Sequence, residues 1–152
     1  MAIARGAGTE IIRTALFQDV RGADTYHDLI IGEQHHIYTI LSVVISCVGL
    51  AVATDYFRLE ILGHDSFEDG SGSVIQLLRQ IADENKTFVW NDKFSFNGTE
   101  PTAFTEPLST IAEQDLLVDQ ASSTSQKLRF FTGGNANTKY DIVVTFIDQN
   151  NE

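Results

Sequence analysis

Between Glu33 and Asp55 the chain runs QHHIYTILSVVISCVGLAVAT, 21 consecutive residues without a Lys, Arg, Asp or Glu. A stretch of that kind must be hidden from water, so it decides what the chain can become. On length alone it could cross a membrane, for which ~18–20 apolar residues suffice. Its composition argues otherwise. Tyr38, Thr39, Ser42, Ser46, Cys47, Gly49 and Thr54 dilute it, and β-branched residues dominate where a spanning helix would favour Leu. The nearest flanking cations are Arg21 and Arg58, too distant to set a topology. The run therefore reads as buried β-structure, with no membrane partner.

HIYTILSVVISC (36–47) predicts a strand buried on both faces, because both alternating sets of residues are apolar or small. Gly49 and the small residues after it predict a loop. DYFRLEILGH (55–64) alternates, with Phe57, Leu59 and Ile61 on one face and Arg58 and Glu60 on the other. After the loop DSFEDGSGS (65–73) the period changes. Val74, Ile75, Leu77, Leu78 and Ile81 fall on one helical stripe, and Ser73 with Gln76 makes a capping-box pattern. A single short α-helix is predicted over 74–84.

KTFVWNDKFSFNG predicts two strand pieces broken near Asn91-Asp92. TEPTAFTEPLST, with both prolines of the chain, predicts a long loop, and EQDLLVDQAS and QKLRFF predict strands. TGGNANT predicts a turn before KYDIVVTFIDQ, the clearest strand of all. About seven strands without a βαβ rhythm predict a mainly β fold, an antiparallel β-sandwich or jelly roll. The organisation expected is an N-terminal arm or leader, residues 1–21, and one sandwich domain, residues 22–152. In the leader, Ile11, Ile12, Ala15 and Leu16 suit a helix, while alternation from Arg13 to Phe17 suits an extended arm.

A chain of 152 residues can bury about 68–70% of its unfolded surface, so it needs no metal or disulfide to fold. Cys47 is the only cysteine, which excludes an intrachain disulfide and a cysteine-rich zinc site. The net charge of −11 argues against a nucleic-acid partner. Residues 1–21 carry Arg5, Arg13 and Arg21 against Glu10 and Asp19, so a mildly basic leader precedes an acidic body. The opening residues lack the apolar core of a secretion signal, and synthesis in a cytoplasm is expected.

Candidate chemistry is sparse. His35 and His36 are adjacent and would point to opposite faces of a strand, and His27 and His64 could join them only through tertiary proximity. Polar residues at a strand entrance are the simpler reading. DSFEDG places Asp65 and Asp69 as in a calcium loop, but Phe67 stands at the third position and Gln76 where a bidentate Glu belongs. No GxSxG occurs, Gly133-Gly134 lacks the Lys and helix of a phosphate loop, and Cys47 lies where a thiolate is disfavoured. No catalytic residue, cofactor or metal is expected, and the chain does not read as an enzyme.

The HIYTILSVVISC strand, the small-residue loop VGLAVAT and the DYFRLEIL strand come first in a familiar order of elements. FVWNDKFSFNG, STIAEQDLLVDQAS and the closing YDIVVTFIDQ strand follow. Together with the ARGAGTEIIRTALFQDV opening, this order resembles small virion proteins of tailed bacteriophages, the capsid decoration or cement proteins. The resemblance implies a trimer-forming β-sandwich seated on the outside of a phage head, with the major capsid protein as partner and the virion surface as location. It brings no catalytic motif. The attachment residues expected are Arg5, Ile11, Ile12, Arg13 and Phe17. The alternative is a carbohydrate- or receptor-binding module of a tail or surface fibre, with Trp90 and the loops at 64–73 and 97–109 as its site.

Overall fold

The structure is a computed structural model and describes residues 8–65, 70–100, 110–112 and 124–151. Nine strands form two antiparallel sheets. They are β1 (Glu10–Val20), β2 (Thr25–Ile31), β3 (His36–Gly49), β4 (Tyr56–Asp65), β5 (Gly70–Ile81), β6 (Thr87–Trp90), β7 (Phe94–Asn97), β8 (Lys127–Gly133) and β9 (Lys139–Asn150). The five-stranded sheet has the order β1-β9-β3-β6, with β7 also on β3, and the four-stranded sheet the order β2-β8-β4-β5. The pairs β4·β5, β3·β6, β2·β8 and β1·β9 are nested in sequence, which is the winding of a jelly roll.

Side-chain alternation builds the core. On β9, Tyr140, Ile142, Val144, Phe146 and Asp148 point inward while the residues between them are half-buried. On β3 the inward set is Tyr38, Ile40, Val43, Ile45 and Cys47, with Leu41 in a bulge that keeps the register facing the core. The opposite sheet contributes Leu29, Ile30, Phe57, Leu59, Leu128 and Phe130. Phe57, Phe130 and Tyr140 meet at the centre with ring centroids 5.3–5.5 Å apart. Burial raises the Cys47 thiol pKa, in keeping with a small core hydrophobe.

Two expectations change, and one open alternative is decided. Gly70–Ile81, predicted in large part as a helix over 74–84, is the edge strand β5. Leu78 pairs with Leu59 and Gln76 with Glu60, so Leu77 is the extra residue of a bulge. That bulge sets Leu77 and Leu78 side by side and gives a strand the apolar spacing of a helix. Pairing β4's free backbone groups outweighs local helix preference here. The stretch β2, for which no strand is predicted, has a bulge between Asp28 and Ile30 that buries both Leu29 and Ile30 and erases its alternation. The leader stretch is extended from Glu10 to Val20 and runs along β9 as a sheet edge. The expected strand at 113–122 and most of the proline-containing loop lie outside the described residues.

No helix among the described residues is long and apolar enough to cross a membrane. The long uncharged run is strand β3 and the loop after it, as its composition predicts. Among the described residues no helix covers its second face.

Candidate functional site

The outward face of the five-stranded sheet follows from register. Across β1, β9 and β3, Ile12 pairs with Ile147 and Ile147 with Thr39, and Thr14 with Thr145 and Thr145 with Ser42. A third row runs Leu16, Val143, Val44 and Val89 and reaches the far edge on β6. These residues are the alternates of the buried set, so they share the outer face. No charged side chain stands in these three rows. Charges return only beyond them, at Glu10 at one end and at Lys139 and Asp141 at the other. Leu16 is 72% exposed, Ile12 70% and Val89 58%. Thr39 Oγ1 and Ser95 Oγ hydrogen bond at 2.7 Å, so hydroxyls on this face satisfy one another.

The inward side of β1 behaves differently. Ala15 and Phe17 pack on the core, while Arg13 and Ile11, nearer the sheet's end, stay more exposed. Arg13 Nε donates to Asp148 Oδ2 at 3.0 Å, and His36 Nδ1 lies 2.6 Å from Asp148 Oδ1. His36 Nε2 is 3.6 Å from Glu33 Oε2. Arg13, His36 and Asp148 line a depression with Gly8, Thr9, Ile11 and Asn150. Asp148 is itself buried, and bidentate use of its carboxylate by Arg13 and His36 ties β1, β3 and β9 together at that end. Tyr38 beneath accepts from the Glu33 N–H at 3.2 Å, and burial pushes its pKa up to about 12.

Of the residues expected to mediate attachment, Ile11, Ile12, Arg13 and Phe17 therefore share β1 but not a face. Ile12 lies on the open surface, Phe17 in the core margin, and Arg13 in an ion pair; Arg5 lies outside the described residues. Leu16, the most exposed large apolar residue of the strand, is missing from the expected set. The i, i+2 spacing of Ile12, Thr14 and Leu16 is the signal that would have found it.

Trp90, the alternative ligand-site residue, packs against the core beside Phe94, and its Nε1–H donates to the Asp92 carbonyl at 2.9 Å. The histidines do not assemble into a centre: among the described residues no three His, Cys, Asp or Glu side chains are placed to hold a metal ion. His27 Nε2 lies 3.4 Å from Thr132 Oγ1, and His35 stands in the turn before β3 with φ 65°. His64 lines a shallow depression beside β5 with Asp65 and Gln126. Asp69 lies outside the described residues, and Gln76 sits in β5 opposite Glu60, where the loop spacing read from sequence no longer applies.

No protein family matches the sequence, and no curated protein matches it. Among solved structures, the chain is similar to one from Bacillus endospore appendages, described as disulfide-linked pili. The two share 10% identity and a TM-score of 0.44 over 100% of this chain and 97% of that one. A chain from infectious bursal disease virus, Gx strain, shares 11% identity and a TM-score of 0.39, over 95% of this chain and 38% of that one. A chain from maize chlorotic mottle virus shares 10% identity and a TM-score of 0.37, over 94% of each.

Proposed function

We propose that this chain is a non-enzymatic structural subunit of a virion, a capsid decoration or cement protein that coats the outside of a phage head. The observation that supports it is the open, uncharged face of the five-stranded sheet. A module with a net charge of −11 that keeps Ile12, Thr14, Leu16, Val44, Val89, Val143 and Ile147 together without a charge has an adhesive side. Burying that face gains roughly 25 cal/mol per Å² of apolar area, while the charges elsewhere keep free subunits soluble. Repetition over a symmetric lattice turns modest single contacts into tight seating. The partner is the major capsid protein, and the subunits associate as a homo-oligomer, a trimer in the favoured form.

Co-sedimentation with heads of the phage that carries the chain tests this. Leu16→Glu and Ile12→Glu place a carboxylate in the uncharged rows at exposed positions, so folding is retained and coating is lost. Heads coated by both variants as fully as by the parent chain overturn the proposal.

A further inference from the structure

The outer face of the four-stranded sheet has the opposite character. In one row across β2, β8, β4 and β5 stand Tyr26, Phe131, Arg58 and Arg79, and in the next Asp28, Arg129, Glu60 and Gln76. Each arginine lies on a ring: Arg58 is 4.0 Å from the Phe131 centroid, Arg79 4.3 Å from Tyr56, and Arg129 4.3 Å from Tyr26. Glu60, 1% exposed, takes Arg129 Nη2 at 2.8 Å and faces Arg58 Nε at 3.7 Å. Lys127 donates to Asp28 at 3.0 Å.

These acids do not balance the bases. Among the described residues Arg58, Arg79, Arg129 and Lys127 face only Glu60 and Asp28, a net of +2, so the rest of the chain carries −13 and the total is −11. Arg58 and Arg79 stand directly opposite each other, an arrangement that costs stability in a sheet. The Nε atoms of Arg58 and Arg129 are buried without a hydrogen-bond acceptor among the described residues, a second cost. Arg79 is exposed and has no ion-pair partner among the described residues. Val74, Ile81 and Tyr26, on the same face, are 46%, 60% and 52% exposed. Arginine and tyrosine beside exposed aliphatics is the composition of a protein interface.

We propose that this face docks the acidic surface of a second copy of the chain. The complementary charge is the chain's own, because the residues outside this face sum to −13 and the uncharged rows of the five-stranded sheet contribute none of it. Two copies of this face do not complement each other, since each carries the same net charge of +2. The contact is therefore head-to-tail, which closes into a ring or extends into a filament according to its rotation. It does not depend on attachment to a shell, which uses the other sheet.

Sedimentation of the full chain at about 0.05 M and about 0.5 M NaCl tests it, because that range shortens the screening length severalfold. The expected result is self-association whose dissociation constant rises at least about tenfold in high salt. Arg79→Glu abolishes it and Arg79→Gln weakens it, with circular dichroism unchanged and the melting point not lowered, since both changes relieve the Arg58–Arg79 opposition. A monomer at low salt overturns the proposal, as does association that Arg79→Glu leaves intact. A monomer that instead binds poly-glutamate through Arg79 also overturns it, since the occupant is then a different acidic chain. Association lost in Leu16→Glu and kept in Arg79→Glu overturns it while leaving shell attachment by the five-stranded sheet standing.

Discussion

Arg129 and Glu60 pair across β8 and β4 at 2.8 Å, and Glu60 is the one carboxylate set between two stacked guanidiniums, those of Arg129 and Arg58. Glu60 is almost fully buried and the Arg129 side chain is 15% exposed. Removing the carboxylate therefore leaves buried positive charge without compensation. Glu60→Ala should cost about 3–5 kcal/mol. Urea unfolding would show the midpoint falling, and Glu60→Ala combined with Arg129→Met should recover much of the loss. Additive effects of the two substitutions would show that the pair is not coupled.

At the other end of the sandwich, one buried acid holds three loops. Asp55 accepts from the N–H groups of Val52 at 3.2 Å and Asn135 at 2.9 Å, and from the Thr138 hydroxyl. Its own backbone carbonyl takes the Ala82 N–H at 2.8 Å. The tight approach of the β8–β9 turn to Asp55 is possible because Gly134 adopts φ +102°. Asp55→Ala leaves the Val52, Asn135 and Thr138 donors unsatisfied and should cost about 2–4 kcal/mol. Asp55→Asn, which keeps one acceptor oxygen, should cost less. Hydrogen exchange should localise the damage to the amides of Val52 and Asn135.

Tyr140 presents the reverse case. Its ring is packed edge-on to Phe57 and Phe130, but its hydroxyl is buried with no hydrogen-bond partner among the described residues, and burial drives its pKa strongly upward. Deleting that oxygen removes a desolvation penalty and keeps the ring contacts. Tyr140→Phe should be neutral or stabilising by up to about 1 kcal/mol. In thermal melts that is an unchanged midpoint or a rise of about 2–4 °C for a chain of this size. A fall of the midpoint would mean the hydroxyl has a partner.

Strand β9 is legible in the sequence because it alternates without interruption through Tyr140, Ile142 and Val144, and β3 because both of its faces are apolar or small, which survives its bulge between Ile40 and Ser42. Where a bulge shifts the pleat, alternation fails as a guide. Leu77-Leu78 in β5 mimics a helix stripe, and Leu29-Ile30 in β2 conceals a strand. The surfaces are less legible still. Ile12 stands out in the leader, but the uncharged face exists only once β1, β9, β3 and β6 lie side by side. Arg58, Arg79 and Arg129 look like ordinary solvated charges along the chain, and only the order β2-β8-β4-β5 brings them onto three aromatic rings. Cross-strand neighbours on one face come from distant sequence, so one-dimensional spacing does not encode them.

His27 gives the fold a pH dependence whose sign can be worked out. Burial lowers its pKa below 6.5, with Asp28 pulling the other way. The folded state thus disfavours the imidazolium, and the unfolded chain takes up the proton first as pH falls. The contribution of His27 to stability is complete above 6.5 and is lost as pH drops from there towards the lower folded pKa. Below that value the loss is constant. Carboxylates titrate nearby, so the useful quantity is the difference between the parent chain and His27→Gln. Urea midpoints measured between about pH 7.5 and pH 5 should fall more steeply for the parent. The two curves should begin to separate as pH falls through about 6.5. Parallel curves would mean that His27 is equally solvated in both states, and a steeper fall in His27→Gln would reverse the sign.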